Sequence, residues 1–256
     1  MSFFIISLKS SFIYRSSVIF SIIGSLFSML LTIALWTFVF QHDPEKIKYM
    51  ITYAILSSII GMCYSSGMSN AIAGKVTGGA FAIDLIRPVN FILMHYYQLL
   101  GGICSSFIMR GIPVIAVFTP LLIMNANFNS PLHILCAIIA IILGHFMYII
   151  LFSLIGFMAF VFLEIWPFNR LLDNTIRFLS GSFIPLAFFP GWLGTLANVL
   201  PFRFMYSFPI QLLIGNESIT SIISNFIILI IWILVLGLLL LFTYKRAINK
   251  CTVQGG

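Results

Sequence analysis

The sequence predicts an all-α polytopic membrane protein. Hydrophobic residues make up 61% of its 256 positions, against ~45–50% in soluble domains. Charged residues make up 7%, against ~25%. The apolar residues fall in long runs bounded by charge or turn residues. A soluble chain of this length covers itself with charge, which 13 Lys and Arg with 6 Asp and Glu cannot do. The 16% aromatic share, with 27 Phe, suits side chains facing acyl tails. The formal charge of +7 reads as a bilayer-orientation signal, because cytoplasmic loops retain Lys and Arg, and no nucleic-acid partner is expected. Cys63, Cys104, Cys136 and Cys251 stand alone without CxxC spacing, so neither a disulfide framework nor a metal site is indicated.

A helix needs ~17–25 apolar residues to cross the hydrocarbon core, and six such spans are expected. Val18 to Phe40 holds no charge and stops at Gln41, His42, Asp43 and Pro44. Tyr49 to Ile72 ends before Gly74 and Lys75. Phe91 to Met124 is too long for one straight crossing, so its membrane part is placed at Ile103 to Met124. His133 to Leu163 is long enough to tilt or project before Glu164, Trp166 and Pro167. A fifth span begins near Leu171, ends near Ile184 and is broken by Pro185 and Pro190, and the sixth is Ile219 to Tyr244. The first run exceeds the 7–15 residues of a signal-peptide core and no A-x-A-like site follows, so it is expected to be retained.

With a cytoplasmic N-terminus, Lys9, Arg15, Lys75, Arg87, Arg170, Arg177, Lys245, Arg246 and Lys250 fall inside. Lys46, Lys48 and Arg203 fall outside, balanced by Asp43, Glu45 and Glu217. This asymmetry supports an even number of spans with both termini inside. No internal repeat is evident, which lowers the case for inverted-repeat carriers.

Catalysis is not expected. The six carboxylates are scattered, nearly all at span boundaries, and neither HExxH, nor paired histidines at metal spacing, nor GxSxG occurs. The Gly74, Lys75, Val76, Thr77 run lacks the upstream glycine of a P-loop, so ATP is not bound by that motif. Two polar groups lie within the spans. Arg110, followed by Gly111 and Pro113, either lines an aqueous cleft, contacts a lipid phosphate, or snorkels to the headgroups. His145, beside Tyr148, is either a pathway group or a neutral hydrogen-bonded packing residue.

Two stretches carry more information. Between the second and third spans, residues 74–90, glycines free the backbone, Pro88 ends any helix, and Ala80 to Arg87 makes about two turns. Asp84 and Arg87 share one face of that helix, and Phe81 and Leu85 form a neighbouring apolar ridge. Such a short cytoplasmic helix either receives force from a soluble motor or lies passively at the headgroups. After the fifth span, Gly181, Pro185, Pro190, Gly191, Trp192 and Pro201 punctuate a hydrophobic stretch. Each proline removes a backbone donor, and Leu193 to Leu200 is too short to cross. The economical solution is a hairpin over residues 183–200 that dips into the outer leaflet and returns, shielded by protein, the alternative being an ordinary amphipathic external loop.

At these stretches the chain resembles permease subunits of ABC-2 type ATP-binding cassette exporters, in the branch accompanying drug-resistance-type ATPases. The residues that carry the likeness are Gly79, Phe81, Asp84, Arg87, Pro88 and Asn90, then Ser180, Gly181, Pro185, Pro190, Trp192, Pro201, Phe202, Pro209 and Gly215. Span count and spacing agree over residues 18–244. The resemblance implies a half-transporter with a cytoplasmic coupling helix that docks into a separate ATPase, matched to Ala80, Phe81, Asp84, Leu85, Arg87 and Pro88. It also implies an external re-entrant gate, matched to Gly181, Pro185, Pro190, Gly191, Trp192 and Pro201, and an inner-surface connecting helix over residues 1–17. Apolar residues in that last segment do not share one clean face. The chain itself would bind no cofactor, with ATP and Mg²⁺ held by the ATPase. The expected partners are cytoplasmic ABC ATPase subunits, a second permease in a homo- or heterodimer, and membrane lipids, in a bacterial inner membrane. The competing readings are an ATP-independent channel or secondary carrier, and a non-transporting immunity or scaffold protein.

Overall fold

The computed structural model describes residues 15–86, 90–126, 128–162, 164–215 and 217–249, together with Ile5. Every regular element among the described residues is helical. In chain order these are α1 (Arg15–Val39), α2 (Pro44–Gly61), α3 (Gly67–Thr77), α4 (Phe81–Ile86), α5 (Phe91–Ser106), a π-helical turn (Phe107–Gly111), α6 (Ile112–Asn125), α7 (Pro131–Phe157), α8 (Trp166–Leu179), α9 (Gly191–Val199), α10 (Ser207–Ile214) and α11 (Ile219–Asn249). Short 3₁₀ turns lie at Met158–Phe160, Leu186–Phe188 and Pro201–Phe204. Four continuous stretches are long and apolar enough to cross a bilayer: Val18–Val39, Phe91–Asn125, Pro131–Phe160 and Ile219–Asn249. The chain is a multi-pass membrane protein.

Local chemistry sets the helix starts. Asp43 caps α2 by accepting from the Lys46 N–H at 3.2 Å, with Pro44 at the first helical position. The Lys46 side chain, 2.9 Å away, also holds the Asp43 carboxyl below its ordinary value. Asn90 caps α5 by accepting from Leu93 N–H at 3.1 Å.

The core forms around α7. Ala137, Ala140, Gly144, Tyr148, Phe152 and Gly156 recur every three or four residues and form one buried face. Between helices in lipid there is little hydrophobic driving force, so close van der Waals packing over small residues carries the association. A methyl group on Gly156 would sit 2.8 Å from Ile72 Cβ and 3.0 Å from the Ser69 carbonyl, which shows how closely α3 runs against α7. The outer helices bury narrow stripes: α1 sinks Met29 and Trp36, and α11 sinks Ile222, Leu229, Leu236, Leu240 and Ala247. Most of their remaining Leu, Ile and Phe are exposed, as lipid-facing surfaces are.

Contacts sort the loops to two ends. At one, Gln211 donates to the Tyr49 hydroxyl (3.0 Å), Asn129 N–H donates to the Leu213 carbonyl (2.9 Å), and His133 Nε2 donates to the Glu217 carbonyl (3.2 Å). At the other, Lys75 pairs with Asp84 (3.0 Å), and the Phe81 ring meets Phe91, Phe157 and Phe160, with Tyr244 against Phe157.

Several boundaries differ from the sequence reading. The expected span Tyr49 to Ile72 is two helices, interrupted at Met62–Ser66. The helix placed at Ile103 to Met124 is continuous from Phe91 to Asn125 through the π turn. Pro113 explains that turn: it cannot donate to the Met109 carbonyl, and the Ile112 N–H reaches Phe107 instead, five residues back. The stretch expected as the fifth span, residues 171–184, lies mostly in α8, whose 14 residues rise about 21 Å and are too short to cross alone. The expectation for residues 1–17 lies almost wholly outside the described residues.

Candidate functional site

α1 carries Ser21, Gly24, Ser25, Ser28 and Thr32 three or four residues apart, so they share one helical face. Across from them α2 presents Tyr53, Ser57, Ser58 and Gly61. Between the two lies a cleft of about 530 Å³, completed by Met62, Tyr64, Arg110, Arg177, Ser182 and Tyr206, with no carboxylate in its wall. Ser21, Ser25 and Thr32 donate to carbonyls of their own helix at 2.8–2.9 Å, which satisfies the hydroxyl protons in an apolar setting and leaves oxygen lone pairs for a guest.

The break between α2 and α3 shapes the neighbouring wall. Its freed Cys63 carbonyl accepts from His145 Nδ1 at 2.9 Å, and the Tyr64 hydroxyl, stacked on Tyr148, donates to the Met205 carbonyl at 2.6 Å. His145 therefore satisfies a backbone group exposed by the interruption, and it lines neither of the two main cavities. Arg110 lines both. Beyond it lies a second cavity of about 470 Å³ bounded by Tyr64, Ser65, His95, Gln98, Leu99 and Ser106. The π turn carries Arg110 at this position, about 22 Å from the Asn125 end of α6.

Asp173 and Arg177, one turn apart on α8, pair at 3.0 Å, and the Tyr148 hydroxyl donates to Asp173 Oδ1 at 3.0 Å. Tyr148 lies about 14 Å from the Phe157 end of α7, so this ion pair sits against the middle of a membrane helix. Sequence reading had placed nearly all the carboxylates at span boundaries. The Arg177 guanidinium and the Tyr148 hydroxyl satisfy the Asp173 carboxylate there.

The punctuated stretch leaves and rejoins the core at one level. The Ser207 N–H donates to the Ser180 carbonyl at 3.0 Å and closes the base of the excursion. Gly181 turns there with φ +83°, its carbonyl accepting from the Tyr53 hydroxyl at 2.8 Å, while Ser57 donates to the Ser182 carbonyl at 2.9 Å. Pro185 and Pro201 are buried near this base, and Pro190, Gly191 and Trp192 form an exposed tip. The excursion rises far enough for Phe188 to meet Phe40, past the end of α1 (ring centroids 5.5 Å). α9 has nine residues, about 14 Å, and cannot cross.

At the opposite end, α4 sits with Phe81 2% and Asp84 1% exposed, whereas Ile83 is 61% and Ile86 83% exposed. Ala80 and Leu85 are half-buried. The sequence reading had put Asp84 and Arg87 on one face of this helix; in the structure Asp84 is buried and pairs with Lys75, a partner from α3. Arg87 and Pro88 lie outside the described residues.

A family model for ABC-2 family transporter proteins matches residues 26–255. The chain belongs to the ABC-2 transporter family. No curated protein and no solved structure matches it. Proteins of this family are membrane transport components, and among the described residues of this ABC-2 chain no three His, Cys, Asp or Glu side chains gather to hold a metal ion. What sequence reading missed is the cleft: Ser and Thr at helical spacing inside the first apolar run were its signal, but facing residues from α2 and α8 could not be paired with them by spacing alone.

Proposed function

We propose that this chain is the membrane-spanning permease subunit of an ATP-driven ABC-2 type exporter. It crosses the bacterial cytoplasmic membrane six times with both termini inside. The four continuous spans are joined by two composite passages, α2 with α3 and α8 with the excursion and α10. The chain forms a path with a second permease, in a homo- or heterodimer, and takes its drive from separate ABC ATPase subunits that hold ATP and Mg²⁺. Lys75, Arg170, Lys245 and Arg246 gather toward the α4 end, which supports placing that end in the cytoplasm.

The observation that carries this reading is α4. Its inner face is held by an aromatic cluster and an ion pair, and its outer face offers two uncovered isoleucines. A rigid knob with an apolar tip transmits displacement, whereas a loose loop absorbs it. ATP, by binding the closed ATPase pair more tightly than the open one, shifts the population, and the knob passes that shift to α3 and α5. The excursion over residues 183–200 closes the outer end of the path.

The double substitution Ile83→Ser and Ile86→Ser tests this with the partner ABC ATPase co-expressed. Co-purification and ATP-dependent efflux should both fall while the permease keeps its wild-type melting temperature. Unchanged association and efflux would refute the coupling role. A second reading, a carrier working without ATP, draws support from Asp173 in its mid-helix position beside Tyr148. Solute movement by the purified chain in liposomes lacking any ATPase would establish it.

A further inference from the structure

Among the described residues Arg110 lines two cavities with no carboxylate paired to it. The sequence holds six side-chain carboxylates, all among the described residues. Asp43 pairs with Lys46, Glu45 with Lys48, Asp84 with Lys75 and Asp173 with Arg177. Glu164 accepts from the Trp166 indole at 2.8 Å, and Glu217 accepts from Ser221. None reaches Arg110, which lines both cavities. A second copy of the chain brings the same six carboxylates, engaged in the same way.

A permanently charged guanidinium among apolar helices calls for an anion, and one that neither this chain nor its copy supplies comes from a guest. The walls describe that guest. Five α1 residues with hydroxyl or hydrogen side chains (Ser21, Gly24, Ser25, Ser28, Thr32) make a polar, narrow track toward Arg110 and Arg177, while Met29, Trp36 and Phe183 supply apolar surface beside it. We propose that the cleft between α1 and α2 binds an amphiphile with an acidic head, phosphate or carboxylate, seated against Arg110 and the serine track with its apolar tail along Met29, Trp36 and Phe183. Arg110 makes the charge-assisted hydrogen bonds. Arg177, tethered to Asp173, contributes at the rim.

Calling the guest a cargo rests on the permease reading, but binding itself does not, and the test needs no ATPase. The full chain is purified in an uncharged maltoside detergent and titrated with dodecyl phosphate, and with dodecanol as the uncharged match. Dodecyl phosphate should bind and dodecanol should not. Arg110→Gln should weaken dodecyl phosphate about tenfold to a hundredfold, the loss expected for charged hydrogen bonds, and Arg110→Lys should restore part of it. Ser25→Val with Ser28→Val, which leaves the guanidinium in place, should weaken binding independently should Arg110→Gln fail to fold. Equal binding of the two probes by the wild-type chain would overturn the proposal, as would undiminished binding by the folded variants.

Repeating the titration in nanodiscs identifies the source. Weaker dodecyl phosphate binding in discs of equal phosphatidylcholine and phosphatidylglycerol than in pure phosphatidylcholine assigns the site to bilayer lipid. Equal binding in both assigns it to a guest that anionic bilayer lipid does not displace. Either result upholds the acidic head. Loss of ATP-dependent efflux in Ile83→Ser/Ile86→Ser with binding intact would separate the coupling role from this site.

Discussion

At the residue scale, small side chains and the positive φ of Gly181 hold the permease together. Gly156 lets α3 and α7 meet, and the nearest atoms are a branched side chain and a backbone carbonyl, neither able to step aside. Gly156→Ala should therefore cost about 1–3 kcal/mol through overpacking, read as a lowered melting temperature in detergent. Gly237, with nothing within 4 Å of its would-be Cβ, is the control and should tolerate alanine. Gly181 combines φ +83° with a would-be Cβ 3.0 Å from the Tyr53 hydroxyl. Gly181→Ala should cost roughly 1–2 kcal/mol from the left-handed backbone alone, with the crowding added. His145 shows why a polar residue in an apolar run need not be part of a pathway. The interruption of α2 leaves the Cys63 carbonyl without a helical partner, and an imidazole N–H from the facing helix meets it.

At the scale of elements, the two faces of α4 have different work. Phe81 is packed edge-on against Phe91 and Phe160, so Phe81→Ala should destabilise the permease by about 3–5 kcal/mol and lower its yield. The isoleucine substitutions on the outer face should leave its melting temperature unchanged and act on assembly alone. Thermal melting beside ATPase co-purification separates the two effects. A helical wheel of Ala80 to Arg87 identified the short helix and its apolar ridge, but it could not tell which face turns inward, because Lys75 and the rings of Phe91, Phe157 and Phe160 come from other elements. The π turn was equally hidden. Gly111 and Pro113 were visible as disturbances of a helix, but whether the chain bends, breaks or shifts its register there depends on the packing around it.

At the scale of the whole molecule, the excursion is fastened to α2 by Tyr53 and Ser57, which also line the cleft. Ser57 Oγ and Ser182 Oγ lie 3.3 Å apart. With Cys63, Cys104, Cys136 and Cys251 replaced by serine, a Ser57→Cys, Ser182→Cys pair should oxidise to an intramolecular disulfide. If the excursion must move for export, the bond should stop ATP-dependent efflux and a reductant should restore it. Efflux unaffected by a fully formed bond would show that the excursion stays in place during transport.

Hydropathy and punctuation were enough to read a helical membrane protein, its family likeness, and a proline-rich stretch too short to cross. These properties follow from local transfer free energies and from backbone donors that proline lacks, and both are written residue by residue along the chain. The break between α2 and α3, the burial of Asp84 on Lys75, the contact of Asp173 with Tyr148 and the lack of a carboxylate at Arg110 came from elsewhere. Each depends on a partner many positions away that pays the cost of a polar group in an apolar setting, or on that partner's absence, and a window sliding along the sequence never meets both members of such a pair.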